Sequence, residues 1–173
     1  MQYEPAIHHR RSIRLKGYDY SQAGAYFVTI CAHNRECLFG EIVAGKMQWN
    51  EAGGMTMQWF SELENKFTDL QCDKFVIMPN HTHFIVVNAG TDMRESTENW
   101  LAHVVQWFKT MTTNEYIRSV KQHGWPLFPG KLWQRNYWEH VIRDEAELNS
   151  IREYMQNNPA QWQFDQLRMP MNL

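Results

Sequence analysis

Long apolar runs, paired cysteines and a strong excess of either charge are all missing from this 173-residue chain. Its longest apolar stretches, such as Phe75 to Met78 and Phe84 to Val87, fall far short of the roughly 20 residues a membrane-spanning helix needs. No membrane segment is therefore expected. The three cysteines, Cys31, Cys37 and Cys72, are odd in number and lack C-x-x-C spacing, which supports neither a disulfide framework nor a zinc ribbon. The N-terminus lacks the apolar stretch and small-residue cleavage site of a secretory signal, so a reducing, cytoplasmic setting is expected. No internal repeat is visible. With 17 basic and 19 acidic side chains the formal charge is only −2. Arg10, Arg11, Arg14 and Lys16 nevertheless fall in a stretch without acidic residues, a local basic arm that can touch phosphates or be solvated.

What is present is core-forming material. Hydrophobic residues make up 43% and aromatics 14%, and the length suits one domain rather than a disordered chain. Residues 1–24 are polar, basic and broken by Pro5, Gly17 and Gly24, so they read as an arm, with a single domain over 25–173. Ala25 to Cys31 is β-branched and aromatic, with Tyr26, Val28 and Ile30 on one face and Phe27, Thr29 and Cys31 on the other, as in a central strand. Leu38 to Val43 and Met47 to Trp49 read as short strands around Ala44-Gly45-Lys46. Met55, Trp59, Leu63 and Phe67 recur every four residues and predict one helix over Glu51 to Phe67. Lys74 to Met78 and His81 to Val87 are strands joined by only Pro79-Asn80, a hairpin.

A second long helix is expected over Trp100 to Tyr116, and a last strand over Tyr137 to Arg143. Asp144 with Glu147 three positions on forms a capping-box-like start for a final helix that Pro159 stops. The order strand, helix, strand, strand, helix, strand predicts an α+β, ferredoxin-like antiparallel sheet with two helices on one face and an extra C-terminal helix. The sheet's other face needs cover from that last helix or from a partner subunit.

His81 and His83, one residue apart in a strand, point to the same face within reach of one metal ion. On the last helix Leu148, Ile151 and Met155 form the buried stripe, with Tyr154 and Asn158 beside it one turn apart. His140, with Trp138 and Ile142 on one strand face, reads as a satisfied interior histidine.

Three ordered motifs, MPNHTHFIV at 78–86, WQRNYWEHVIRD at 133–144 and REYMQNNP at 152–159, resemble the REP-associated tyrosine transposases. These are relatives of the single-tyrosine HUH transposases of small bacterial insertion sequences. RRSIRLKGYDY at 10–20 and AYFVTICAHNRECLFG at 25–40 resemble the same family, so the likeness covers nearly the whole chain. It implies that His81 and His83 bind a divalent cation, Mg²⁺ or Mn²⁺, and that Tyr154 attacks a DNA phosphodiester. Asn158 stands where insertion-sequence relatives carry a Gln ligand, and Thr82 replaces the bulky apolar residue between the histidines.

The implied partner is single-stranded DNA bearing REP-type hairpins, in the cytoplasm at the nucleoid. Arg10, Arg11, Arg14, Lys16 and Lys109 are expected on phosphates, and Gln134, Arg135 and Asn136 on base edges or phosphates. Exposed members of the set Trp100, Trp107, Trp125, Trp133, Tyr137 and Trp138 are expected to stack bases. The strand ending at Arg143 leaves little linker before the last helix, so Tyr154 is expected to serve its own chain and a monomer is favoured over a dimer. Two other readings stay open: a domesticated hairpin-binding protein whose catalysis is unused, and a metal-dependent phosphohydrolase in which water attacks.

Overall fold

The computed structural model describes residues 22–90 and 99–168. Arg10, Arg11, Arg14 and Lys16 lie outside the described residues. Four strands form the main sheet: β1 (Gly24–Cys31), β4 (Leu70–Met78), β5 (His81–Asn88) and β6 (Trp138–Ile142). Their spatial order is β4-β5-β1-β6, with every neighbouring pair antiparallel. Helices α1 (Glu51–Ser61) and α3 (Trp100–His123) are the crossovers, which gives the expected ferredoxin-like architecture. Tyr26, Val28, Ile30, Phe84 and Val86 are fully buried in one cluster with Val104, Val105 and Phe108 of α3 and Met55 and Phe60 of α1. Each such side chain contributes roughly 1.5–3 kcal/mol of transfer free energy. Among the described residues no helix is long and apolar enough to cross a membrane.

Several boundaries differ from expectation for identifiable reasons. The single helix expected over Glu51 to Phe67 is broken at Glu62 into α1 and a short α2 (Leu63–Lys66). A strict four-residue apolar repeat drifts by about 40° per step around a helix of 3.6 residues per turn. The break returns Leu63 to full burial. Helix α3 runs past Tyr116 to His123, where Gly124 at φ 69° supplies the left-handed cap. Strand β4 starts earlier than expected, at Leu70, and a register irregularity between Cys72 and Lys74 marks Asp73.

The small hairpin of β2 (Gly40–Val43) and β3 (Lys46–Trp49) turns at Ala44 and Gly45, both at positive φ (49° and 73°). A two-residue hairpin loop of this kind favours Asn-Gly. Ala44→Asn is therefore expected to raise stability by about 0.5–1 kcal/mol, read as a higher denaturant midpoint at unchanged slope.

Helix α4 (Glu145–Asn157) covers the second face of the sheet. Met155 is fully buried against Ile85 and Ile142, with Leu148, Ile151, Phe27 and Val76 packed around them. The last helix is thus the cover. Asp144 accepts a hydrogen bond from the Glu147 N–H at 2.8 Å, as a helix cap should. The Glu147 carboxylate turns elsewhere, accepting from the Arg143 N–H and from His140 Nε2, both at 2.7 Å. His140 is thereby corrected: it is an exposed partner of Glu147, not an interior histidine. Arg152 Nε donates to Asp73 Oδ1 at 2.9 Å and ties α4 to the irregularity in β4.

Candidate functional site

The Pro79-Asn80 turn sets the register Met78↔His81, which sends His81 and His83 to the face covered by α4. Across the sheet His81 lies opposite Cys31 and His83 opposite Thr29. Both histidines are buried. Their Nε2 atoms face each other at 3.1 Å, while Thr29 Oγ1 lies 2.7 Å from His83 Nδ1.

Asn80 fixes the proton on His81. Its Nδ2 donates to the carbonyls of Arg35 at 3.1 Å and Leu167 at 2.8 Å, which leaves Oδ1 as an acceptor. That oxygen lies 2.8 Å from His81 Nδ1, so Nδ1 carries the hydrogen and Nε2 presents a lone pair. Neutral rings are also what burial dictates. Burial, with lesser contributions from His83 and Arg35, holds His81 well below the usual imidazole range. Burial alone pushes His83 down to about 3. Asn80→Ala would remove the partner of His81 Nδ1–H and of the Leu167 carbonyl, and a loss of about 2 kcal/mol in denaturant unfolding is the expected result.

Helix α4 brings Tyr154 to this pair. Its ring centroid is 5.7 Å from that of His83 and 6.3 Å from that of Phe27. The side chain is half-exposed. Burial and the Asp165 carboxylate raise the Tyr154 pKa, against a hydrogen bond from the Asn158 amide that stabilises the phenolate. Asn158 is buried, and its Oδ1 has no hydrogen-bond partner. Beyond Pro159 the chain continues through a 3₁₀ segment to Phe164. It places Trp162 6.0 Å from the His81 ring and Asp165 Oδ2 3.6 Å from His81 Nε2.

The residues fit a divalent cation on their own chemistry. Two neutral imidazole nitrogens face each other, and two buried oxygens further along the chain, Asn158 Oδ1 and Asp165 Oδ2, have no hydrogen-bond partner. Ligands at right angles with bonds of ~2.1 Å lie about 3 Å apart, close to the Nε2 separation. Among the described residues no group of three His, Cys, Asp or Glu side chains could hold a metal. The Asp165 carboxylate, 3.6 Å from His81 Nε2, thus does not complete a set of three with the histidines, and the Asn158 amide remains the third donor that the family resemblance implies.

The other expected residues gather elsewhere. Lys109 Nζ donates to the carbonyls of Gln134, Arg135 and Asn136 at 2.9, 3.2 and 3.3 Å. Burial lowers its pKa to about 8. Its ammonium holds the 134–136 segment in place beside an open groove of about 780 Å³ between α3 and residues 128–137. Gln134 N–H donates to the Cys31 carbonyl at 2.9 Å, so this segment runs one strand away from His81.

Sequence reasoning missed Asn80 as more than a turn residue, and missed Thr29, Trp162 and Asp165. The Thr29 contact depends on strand register, and the segment after Pro159 has no periodicity to read.

A ferredoxin-like sheet carrying paired histidines on an inner strand, faced by a tyrosine from a C-terminal helix, defines the class of fold and site. The family pattern of IS200-like transposases matches residues 25–158, and the chain belongs to that family. An uncharacterized protein of Haemophilus influenzae is 41% identical over 180 residues, covering 95% of this chain and 96% of that one. A second protein of that organism, provisionally named a REP-associated tyrosine transposase, is 22% identical over 155 residues, covering 82% and 73%. The solved structure of a REP-associated tyrosine transposase bound to a REP hairpin shares the fold. Its TM-score is 0.53 at 18% identity, over 86% of this chain and 73% of that one.

Proposed function

We propose that this transposase-family protein is a single-stranded DNA endonuclease and strand transferase that acts at REP-type hairpins through a 5′-phosphotyrosine intermediate. The observation that carries the reading is the approach of Tyr154 to His83 of its own chain, with the buried Asn158 following one turn later. Tyr154 Oη attacks the phosphorus and loses its proton, the P–O3′ bond breaks, and the departing O3′ takes up a proton. The DNA 5′ end is left on the tyrosine. A phenolate is a good leaving group, with a parent pKa of about 10, so the 3′-hydroxyl can reverse the step without ATP.

His81 Nε2, His83 Nε2 and Asn158 Oδ1 would hold Mg²⁺ or Mn²⁺, which when bound supplies polarisation of the non-bridging phosphate oxygens. Two nitrogens in the set suit Mn²⁺ at least as well as Mg²⁺. Lys109 places a positive charge behind the 134–136 segment, while Arg135 and Asn136 face solvent where a DNA backbone can reach them.

A second reading has one observation in its favour. Both histidines are closed off from solvent beneath residues 159–168, as suits a protein that grips a hairpin without cutting it. The test is incubation with single-stranded oligonucleotides drawn from hairpin repeats beside the gene, with Mg²⁺ or Mn²⁺, followed by a denaturing gel. A denaturant-resistant adduct supports the nuclease. Tight binding without cleavage on several repeats supports the gripping protein.

A further inference from the structure

We propose that Trp138 is the platform on which an unpaired base beside the attacked phosphate stacks; this deepens the nuclease reading and rests on it. The placement follows from register. Thr29 on β1 lies opposite His83 on one side and opposite Trp138 on the other, so the three form one cross-strand row. Directly opposed residues share a face, and the Thr29–His83 side-chain contact at 2.7 Å confirms it for this row. Two strand spacings of ~4.8 Å put the Trp138 backbone about 10 Å from that of His83, on the face that Tyr154 occupies.

Trp138 is 58% exposed, whereas Trp100 and Trp133 are 7% and 4% exposed; the other exposed tryptophan, Trp49 at 50%, ends β3 of the small hairpin, outside the main sheet. Trp107, Trp125 and Tyr137 are partly buried against the main core. Of the aromatics expected from sequence to stack bases, the structure thus leaves one with a large open surface, on the catalytic face. Phe164 is also exposed, but it sits on the segment after Pro159, whereas Trp138 is held on a strand of the main sheet. The approach is suitably charged: residues 131–138 carry Lys131 and Arg135 and no acidic side chain. A cationic segment leading to an exposed indole is the pairing by which single strands are gripped, phosphates on the charges and a base on the ring.

Every base has a π-face, so the platform would position the strand without reading its sequence. Its contribution is to hold the nucleotide next to the cut so that the phosphate meets Tyr154. Trp138 is a positioning residue for the reaction.

The experiment uses the full chain and a single-stranded hairpin oligonucleotide from the flanking repeats, synthesised with one abasic site at each position around the cut in turn. Wild-type protein is expected to lose affinity and adduct yield at one position, by roughly 5- to 150-fold, the range of a lost base–aromatic stack. Trp138→Ala should show the same loss on the intact oligonucleotide and no further loss at that abasic position. Trp138→Phe should restore most of it. An exposed side chain leaves folding to the rest of the sheet, so circular dichroism and the unfolding midpoint are expected to match wild type in both variants.

If wild-type protein forms the adduct and Trp138→Ala keeps the same abasic profile, the platform is refuted while the nuclease stands. If no adduct forms, the nuclease reading fails, and the abasic binding profile alone shows whether Trp138 stacks a base. Strand β6 lies at the edge of the sheet. A change of oligomeric state in Trp138→Ala with an unchanged DNA profile would assign the indole to a contact between copies and overturn the proposal.

Discussion

Tyr154→Phe is expected to abolish the covalent protein–DNA adduct while leaving the fold and hairpin binding almost untouched. The substitution removes one oxygen. The ring keeps its contacts with His83 and Phe27, and the half-exposed position opens no cavity. Stability should change by less than about 1 kcal/mol. Activity should not survive, because the hydroxyl that does touch the pair, Thr29 Oγ1, is buried and engaged with His83 Nδ1, whereas Tyr154 is half-exposed to an incoming strand. Loss of a nucleophile typically lowers turnover by about 10³-fold or more.

A denaturing gel reads adduct and cleavage together, and a mobility shift reads binding. Cleavage that persists without an adduct would mean that water attacks and that Tyr154 only lines the site, the phosphohydrolase reading. A cellular role that survives the same substitution would instead favour the domesticated binding protein.

The fold was legible in the sequence because its signals were local and periodic. Alternation in Ala25 to Cys31 separates Tyr26, Val28 and Ile30 from Phe27 and Thr29, and that division is the division between the two faces of the sheet. Period two on a strand and near-period four on a helix likewise put His81 with His83 and Tyr154 with Asn158 on shared faces, but periodicity gave only the faces; the expected roles came from the family resemblance. What could not be read depends on register and on irregular chain. Nothing in the order of residues says that Thr29 will oppose His83, or that Asn80 will bond both to Leu167 and to the His81 ring. His140 was misread because alternation tells which face a residue takes but not where an edge strand outruns its cover. Trp138, on the same face, is exposed for the same reason. The basic arm at Arg10 to Lys16 lies outside the described residues.

Acid should unfold the metal-free protein through its histidine pair. The sign follows from burial. His83 has an ordinary value of 6.5 when unfolded and about 3 when folded, and His81 is displaced in the same direction. Between those values the unfolded chain binds protons that the folded chain excludes, so stability is fully present above pH 6.5 and declines as pH falls. At 1.36 kcal/mol per unit, His83 alone removes on the order of 4 kcal/mol by pH 3.5. His83→Gln cannot take up that proton. Denaturant unfolding in chelator at a series of pH values should therefore give a variant whose stability falls less steeply than wild type below pH 6.5. Added Mn²⁺ should raise the wild-type midpoint at pH 7 and lose that effect in acid, since only neutral imidazoles bind it. Parallel curves for the two proteins in chelator would mean that His83 titrates near its ordinary value, and that residues 159–168 do not keep water from the pair.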